Sequence, residues 1–340
     1  MTASSDLLRL LALPVLGWAA HRDWLTRRVP TRTWYPLFAL GVLLLVVDGW
    51  TAFGGSPYET RAFAIRVAVS IGLIVPLAYG FHHLGGFGAA DAKAFVVVAV
   101  LFPTFPTYDL AGITFPLETT TLGVFSLTIL TNTVLAGAAY PAVLALRNAV
   151  SGQVSRAMVV GRPIPWDETM QTHGRLLETA DGFTVRGLDL DALRMYLRWR
   201  GLGLTDIRTD PDRYRDPASL PADPNHPTDG AVERGRETDI APTGDPSTAR
   251  VATPDGNGSA GADATDPDPW GARTFLDDID HGAYGTRPDQ LRSALDLLAE
   301  ADRVWVSPGL PFLVPLVVGI VVALVYGDVL FAVLRLLGMV

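Results

Sequence analysis

The chain has 340 residues, of which 49% are hydrophobic and 18% charged, and its formal net charge is −8. The charged fraction lies below the roughly 25% typical of soluble domains, and the acidic balance argues against a nucleic-acid partner. Cysteine is absent, which excludes disulfides, thiolate–zinc sites and a cysteine nucleophile. No cofactor or metal site is expected, because neither an HExxH pattern nor an Asp/His cluster occurs.

Six apolar segments are long enough, or nearly so, to cross a bilayer as helices, since about 20 apolar residues span the hydrocarbon core. They are Leu7–Ala20, Trp34–Val47, Ala62–Gly80, Phe87–Phe105, Leu122–Leu146 and Leu310–Tyr326. We therefore predict an all-α polytopic protein with about six transmembrane helices in the lipid bilayer. The first segment, which Arg9 interrupts, could instead be a secretory signal, but Asp6 and the lack of a preceding basic cluster favour a membrane helix.

Basic residues in the short loops predict the orientation in the membrane. Arg22, Arg27, Arg28 and Arg32 follow the first segment, and Arg147 and Arg156 follow the fifth. The loop before the fourth segment carries His82, His83 and Lys93, which is the only lysine. We therefore predict that the N-terminus lies outside, and that the first and third loops and residues 148–308 lie in the cytoplasm.

The hydrophobic pattern divides the chain into three parts. We predict a five-helix membrane domain over residues 1–147, a cytoplasmic region over 148–308, and a final transmembrane helix with a tail over 309–340. The cytoplasmic region holds 27 of the 35 acidic residues. It stands apart from the membrane part in composition.

Within the cytoplasmic region, helices are predicted at Leu190–Leu202 and Arg287–Glu300, and a strand at Arg303–Val306. Residues 216–271 are rich in Pro, Asp, Gly, Thr and Ala. Such a segment buries too little apolar surface to offset the entropy lost on ordering, so we predict that it is disordered.

The membrane part contains eight carboxylates, and a charge at membrane depth is usually kept for a function. Five of them fall in predicted external loops or the N-terminal tail, where a solvated charge needs no explanation: Asp6, Asp48, Glu59, Asp109 and Glu118. Asp328 follows the last helix and suggests an interfacial or structural role. Asp23 and Asp91 remain, both at loop–helix junctions on the predicted cytoplasmic side, where they could face each other.

Two carboxylates at one site share a proton, because both cannot ionise cheaply. One group can then take a proton from water while the other donates to a peptide carbonyl. The alternative is that Asp23 and Asp91 only balance the nearby charges of Arg22, Arg27 and Lys93.

The residues around the two aspartates favour the catalytic interpretation. Asp23 begins Asp23-Trp24-Leu25-Thr26-Arg27-Arg28-Val29-Pro30, and Asp91 ends Gly85-Gly86-Phe87-Gly88-Ala89-Ala90-Asp91, with Lys93 two residues later. These sites resemble the two signatures of the type IV prepilin peptidase family, which are GxGD-type membrane aspartic proteases. The resemblance implies a catalytic pair, Asp23 and Asp91, with supporting residues Gly88, Ala90, Lys93, Arg27 and Pro30. It covers residues 1–147 well and the last helix loosely, but not the acidic region.

One position departs from the family pattern, because Ala90 replaces the second glycine of GxGD. A small residue is kept, but a backbone angle that only glycine tolerates would be lost. The resemblance also implies prepilin or preflagellin precursors as substrates, each with a short basic leader before a hydrophobic helix. Bacterial relatives carry a cysteine-rich zinc domain and N-methylate the new terminus, so a chain without cysteine is expected to be a peptidase without methyltransferase activity.

Three other functions fit parts of the sequence. A presenilin-like intramembrane protease would need a Pro-Ala-Leu motif, which Pro141-Ala142-Val143-Leu144 only approximates. A transporter or channel subunit would show ionisable or helix-breaking features near the bilayer midplane. A non-catalytic membrane anchor would tolerate replacement of both Asp23 and Asp91.

Overall fold

The computed structural model describes residues 3–84, 87–179, 182–184, 186–232, 268–279, 282–309 and 311–339. These residues are mostly helical and divide into two compact units, Met1–Ser151 with Leu310–Val340 and Gly152–Gly309. Short strands occur in both units, so the all-α description is too simple.

The described helices, in chain order, are α1 (Ala3–Arg9), α2 (Ala12–Thr26), α3 (Trp34–Phe53), α4 (Pro57–His83), α5 (Ala89–Leu101), α6 (Phe125–Val150), α7 (Leu190–Arg200), α8 (Leu204–Thr209), α9 (Pro211–Arg215), α10 (Ala272–Asp278), α11 (Pro288–Glu300), α12 (Leu313–Val325) and α13 (Val329–Leu336). The described strands are β1 (Tyr108–Leu110), β2 (Ile113–Phe115), β3 (Arg162–Pro165), β4 (Arg175–Leu176), β5 (Glu178–Thr179), β6 (Gly182–Phe183) and β7 (Arg303–Ser307).

Helices occupy the six predicted apolar segments, and the first segment, Leu7–Ala20, is divided between α1 and α2. Among the described residues, three helices are long and apolar enough to cross a membrane: Thr31–Phe53, Pro57–His83 and Phe125–Val150. The apolar helix α12 is shorter, and the 13 residues of α5 rise only about 20 Å at 1.5 Å per residue. The total of six spans therefore stays a prediction.

Helix α5 lies inside the first unit. Eight of its residues are buried, on all sides of the helix, which fits its lack of a polar face. The hydroxyl of Ser70 on α4 donates to the Ala99 carbonyl of α5 at 2.7 Å and lies 2.7 Å from the Ser126 hydroxyl of α6. Asp91, in the first turn of α5, is thus carried by an element fixed on several sides.

Helix α12 packs closely on α6. A Cβ on Gly319 would lie 2.7 Å from the backbone nitrogen of Thr133, so no larger residue fits without displacement. Beyond α12, the buried Asp328 caps α13 by accepting from Phe331 N–H at 2.9 Å, and it accepts from the Thr128 hydroxyl of α6 at 2.9 Å. Asp328 thus makes the structural contacts expected of it.

A buried charge cluster corrects one prediction. Asp6 and Asp48 are 2% and 1% exposed, not solvated, and both pair with Arg9, which is 0% exposed. The Arg9 guanidinium also donates to the carbonyl of Leu101 at 2.8 Å. Asp6 and Asp48 look like loop charges in the sequence, but the apolar surroundings of Arg9 require a carboxylate partner there.

The second unit has its own core. Strands β3 and β4 both pair antiparallel with β7, giving the order β3-β7-β4. Asp189 caps α7 by accepting from the Asp191 N–H at 3.0 Å. The structure confirms the predicted helices and strand as α7, α11 and β7.

The predicted disorder of residues 216–271 is wrong at both ends of that segment. Trp270 is fully buried in the core, and its carbonyl accepts from the Tyr196 hydroxyl at 2.5 Å. The Arg200 guanidinium donates to the Ser219 hydroxyl at 2.6 Å. Burial of the large Trp270 side chain favours order in the residues next to it, which the composition of the segment as a whole does not indicate. The remaining residues, 233–267, lie outside the described residues.

Candidate active site

Asp23 lies in the last turn of α2 and is 8% exposed. Its Oδ2 accepts a hydrogen bond from the backbone N–H of Leu313 at 3.4 Å, at the start of α12. The N-terminal N–H groups of a helix have no partner within the helix and carry partial positive charge, so they favour a nearby carboxylate. Helix α12 therefore supplies part of the environment of Asp23.

The residues after Asp23 form a tight turn that ends α2. Arg27 has φ 56° and ψ 17°, and its N–H donates to the Asp23 carbonyl at 3.0 Å. The Thr26 hydroxyl lies 2.9 Å from the Arg22 carbonyl oxygen and 3.1 Å from that of Arg28. Non-glycine residues rarely adopt a positive φ. Thr26 and Arg27 of the first motif thus fix the geometry of the turn, and Arg27 also gives it a positive charge.

Pro30 continues the chain from this turn into a short 3-10 turn at Thr31–Thr33. The Lys93 ammonium donates to the Thr31 hydroxyl at 2.8 Å. Lys93 therefore links α5, which carries the second motif, to the segment that follows the first. This contact is a structural alternative to a direct effect of Lys93 on Asp91.

Asp91 lies in the first turn of α5, where its Oδ2 accepts from the Gly88 N–H at 2.9 Å. Gly88 has φ −67° and ψ 160°, a conformation that any residue adopts. Its small size matters instead, because a Cβ at this position would lie 3.1 Å from Asp91 Oδ2. The glycine preceding the aspartate is needed for close approach.

Ala90 lies within α5 in ordinary helical backbone, and it packs against the core of the first unit. The residue does not adopt a positive φ. No glycine-only angle is required at this position, so alanine fits where the family pattern has glycine.

The two carboxyl groups come within electrostatic range of each other. The charge of Asp23 acts on the Asp91 carboxyl group, and the charge of the Arg27 guanidinium acts on both. His82 also interacts with Asp91, and its Nδ1 lies 3.0 Å from the Phe87 carbonyl oxygen. The fold thus brings together Asp23, Asp91 and Arg27 from the two motifs.

Four phenylalanines pack around the loop that carries Gly88. The ring of Phe87 lies 4.8 Å from Phe312, 5.4 Å from Phe95 and 5.2 Å from Phe81, measured between centroids. Phe312 directly precedes Leu313 at the start of α12. The cluster therefore fixes the α12 terminus against the second motif, and local sequence patterns did not indicate it.

Two family models match the chain. Residues 10–142 match the Type IV leader peptidase family, and residues 269–329 match Archaeal Peptidase A24 C-terminus Type II. The chain belongs to the type IV leader peptidase family. A search of curated proteins finds no match.

The two matches extend the expected coverage of the type IV leader peptidase family. The first includes both motifs, and the second runs from α10 through α11 and β7 into α12. The expectation that the family pattern stops short of the acidic region is therefore wrong for residues 269–309. Leu313, which bonds to Asp23, lies within the archaeal C-terminal match.

Membership in this family makes the chain a peptidase of aspartic type with a prepilin-peptidase role, and its long apolar helices indicate a membrane protein. Among the described residues, no group of three or more His, Asp and Glu side chains is arranged to hold a metal ion. The candidate site thus consists of carboxyl groups, one guanidinium and backbone N–H groups.

Proposed function

We propose that the chain removes the short basic leader from prepilin or preflagellin precursors, with Asp23 and Asp91 as its catalytic pair. The observation that carries the proposal is that Asp23 and Asp91, on separate helices at the two motifs, are near enough for the charge of Asp23 to act on the Asp91 carboxyl group. Other carboxyl groups of the first unit have structural partners, as Asp6, Asp48 and Asp328 illustrate.

In the proposed mechanism, one carboxylate takes a proton from water, and the water oxygen attacks the scissile carbonyl carbon. The other carboxyl group donates its proton to the carbonyl oxygen. The tetrahedral intermediate then breaks its C–N bond, the nitrogen receives the proton first taken from water, and one hydroxyl of the intermediate returns its proton to the other carboxylate, which leaves a carboxylic acid and an amine as products. Such a pair works when it holds one shared proton.

Arg27 is a positioning residue in this mechanism. Its guanidinium interacts with both carboxyl groups, and its left-handed backbone ends α2 directly after Asp23. A fixed positive charge favours the singly ionised pair over the fully protonated pair. Gly88 and the Leu313 N–H hold the two carboxyl groups through backbone hydrogen bonds.

The proposed location follows the distribution of basic residues. Six helices cross the bilayer, the N-terminus lies outside, and the catalytic loops and residues 148–308 lie in the cytoplasm. The scissile bond of a precursor directly before its hydrophobic helix would then meet Asp23 and Asp91 at the inner membrane surface.

Co-expression with a tagged prepilin in a host without its own processing enzyme tests the proposal. We expect the native chain to shorten the precursor on immunoblots, and Asp23→Asn and Asp91→Asn each to abolish shortening at normal membrane levels. Asp109→Asn is the matched control, because Asp109 is exposed and bonds to the Thr114 hydroxyl. Cleavage by either motif variant would refute the catalytic pair.

The same experiment tests the expected absence of methyltransferase activity. Mass spectrometry of the processed subunit should find an unmodified amino terminus. An added mass of one methyl group, dependent on this chain, would contradict the expectation.

A further inference from the structure

The second unit contains a cavity of about 240 Å³ that the proposed peptidase chemistry does not use. Its wall includes Arg175, Arg186, Asp189, Thr286, Arg287 and Gln290. Small-molecule sites are commonly about 300–1,000 Å³. The volume of this cavity therefore suits one charged group better than a large ligand.

The charge of the cavity wall is opposite to that of the surrounding region. Three arginines and one aspartate, Asp189, line the cavity, although residues 148–308 hold 27 acidic residues. Arg175 lies 3.5 Å from Asp189, and Arg287 lies 2.8 Å from Asp289. Both arginine side chains are more than half exposed, and such pairs contribute little and exchange readily.

Arg186 supplies the third guanidinium. Its side chain has neither a hydrogen bond nor an ion pair with another residue in the described part of the chain. The backbone of Arg186 is fixed, because the Gln290 side chain donates to its carbonyl at 2.7 Å. The backbone of Arg186 is therefore held at the cavity wall by a defined contact with α11.

The start of α11 adds a second source of positive potential. Gln290 accepts from the Arg287 N–H at 2.9 Å, so one side chain fixes both Arg186 and the first turn of the helix. The helix has 13 residues, and its N-terminal end carries partial positive charge, which the Asp289 carboxylate in its first turn partly offsets. Guanidinium forks and a helix N-terminus together form the usual environment of a phosphate group.

We propose that this cavity binds a phosphate group, from either an anionic lipid headgroup or soluble phosphate. Arg186 and Arg287 provide the charge-assisted donors, and Thr286 adds a hydroxyl at the cavity wall. The cavity is formed by residues of the second unit, whereas Asp23 and Asp91 belong to the first, and the proposal does not depend on the proposed function.

The test uses the full chain purified in non-ionic detergent and calorimetric titration with two probes, inorganic phosphate and short-chain phosphatidylglycerol below its micelle concentration. We expect saturable binding of at least one probe. Arg186→Gln and Arg287→Gln should each weaken it about fivefold to tenfold, with a larger loss in the double variant. Arg213→Gln is the matched control, since Arg213 is exposed and lies outside the cavity wall.

The two probes distinguish the source of the phosphate. Binding of both, in competition, supports a site for the phosphate group itself, while binding of the lipid alone supports a headgroup site. If neither probe binds, the proposal is overturned. Binding that the two cavity variants leave unchanged, or that Arg213→Gln weakens equally, also overturns it. Circular dichroism spectra of the variants would show that each remains folded.

Discussion

At the scale of single residues, the space around Asp91 is set by the absence of a side chain at position 88. Replacing Gly88 by Ala would put a Cβ 3.1 Å from Asp91 Oδ2, which displaces the carboxyl group by a few tenths of an ångström. We expect roughly a tenfold loss of precursor processing, because small misplacements of catalytic groups are costly. Time courses of cleavage in isolated membranes would measure it.

Ala90→Gly is the matched control for that substitution. The backbone at position 90 is helical, so restoring the motif glycine should give no gain in activity and cost up to about 1 kcal/mol of helix stability. A large increase in processing by Ala90→Gly would contradict a helical backbone at this position in the active enzyme.

The buried charge cluster predicts a stability effect far from the candidate site. Arg9→Met would leave Asp6 and Asp48 buried without their shared partner, which costs about 3–5 kcal/mol when a buried pair is broken. We expect a marked fall in the thermal unfolding midpoint of the detergent-solubilised protein. Asp6→Asn combined with Asp48→Asn and Arg9→Met should recover part of it. An unchanged midpoint in Arg9→Met would contradict the burial of these charges.

Asp268 predicts an acid-dependent contribution to the second unit. Burial alone would raise its pKa, but hydrogen bonds from the Arg273 N–H, Arg292 and Thr274 hold the pKa below its usual value. The carboxylate therefore stabilises the fold above the unfolded-state pKa of about 4, and this contribution is lost as pH falls through the folded-state pKa.

Asp268→Asn should accordingly lower the stability of the second unit by about 1–2 kcal/mol at pH 7, from loss of a charged cap and ion pair. The difference from the native chain should shrink as the pH falls below about 4. Thermal unfolding followed by circular dichroism at about pH 7 and about pH 2.5, well below the unfolded-state pKa of about 4, would test it. An equal difference at both pH values would be evidence against a stabilising carboxylate.

At the scale of whole elements, the packing of α12 on α6 positions the backbone N–H of Leu313 that donates to Asp23. Gly319→Val would force a Cβ toward the Thr133 backbone, 2.7 Å away, and overpacking of this kind costs about 1–3 kcal/mol. Because α12 begins at the residue that bonds to Asp23, we expect both the unfolding midpoint and precursor processing to fall.

Gly72→Val tests whether that effect is specific. Gly72 lies in α4, and a Cβ added to it would meet nothing within 4 Å, so the same change of residue should leave processing near the native level. Equal losses in the two variants would point to a general effect of valine on these helices.

The sequence predicts the local elements well and the long-range contacts poorly. Helix α7 begins after the capping residue Asp189 and ends before Gly201, which has a left-handed backbone conformation. Both residues are common at helix ends, so the local sequence predicts these boundaries. The bond from Leu313 to Asp23 joins residues 290 positions apart, and no local signal indicates such a contact. Motif resemblance, not periodicity, linked Asp23 with Asp91.

At the scale of the molecule, the absence of cysteine allows a direct test of the proposed topology. Thr114→Cys and Ala218→Cys each place one thiol at an exposed position, the first predicted outside and the second in the cytoplasm. A membrane-impermeant maleimide should label only Thr114→Cys in intact cells and both variants after lysis. Labelling of Ala218→Cys in intact cells would show that the orientation in the membrane is opposite to the predicted one.

The contact between Leu313 and Asp23 also bears on how a cell makes this peptidase. A ribosome delivers Asp23 early and the N–H of Leu313 only 290 residues later, after the whole second unit has been synthesised. A nascent chain, or one terminated before α12, would contain both aspartates without the N–H group that bonds to Asp23. If Asp23 acts as proposed, the chain becomes an active peptidase only after α12 has been synthesised, and shorter translation products are inactive.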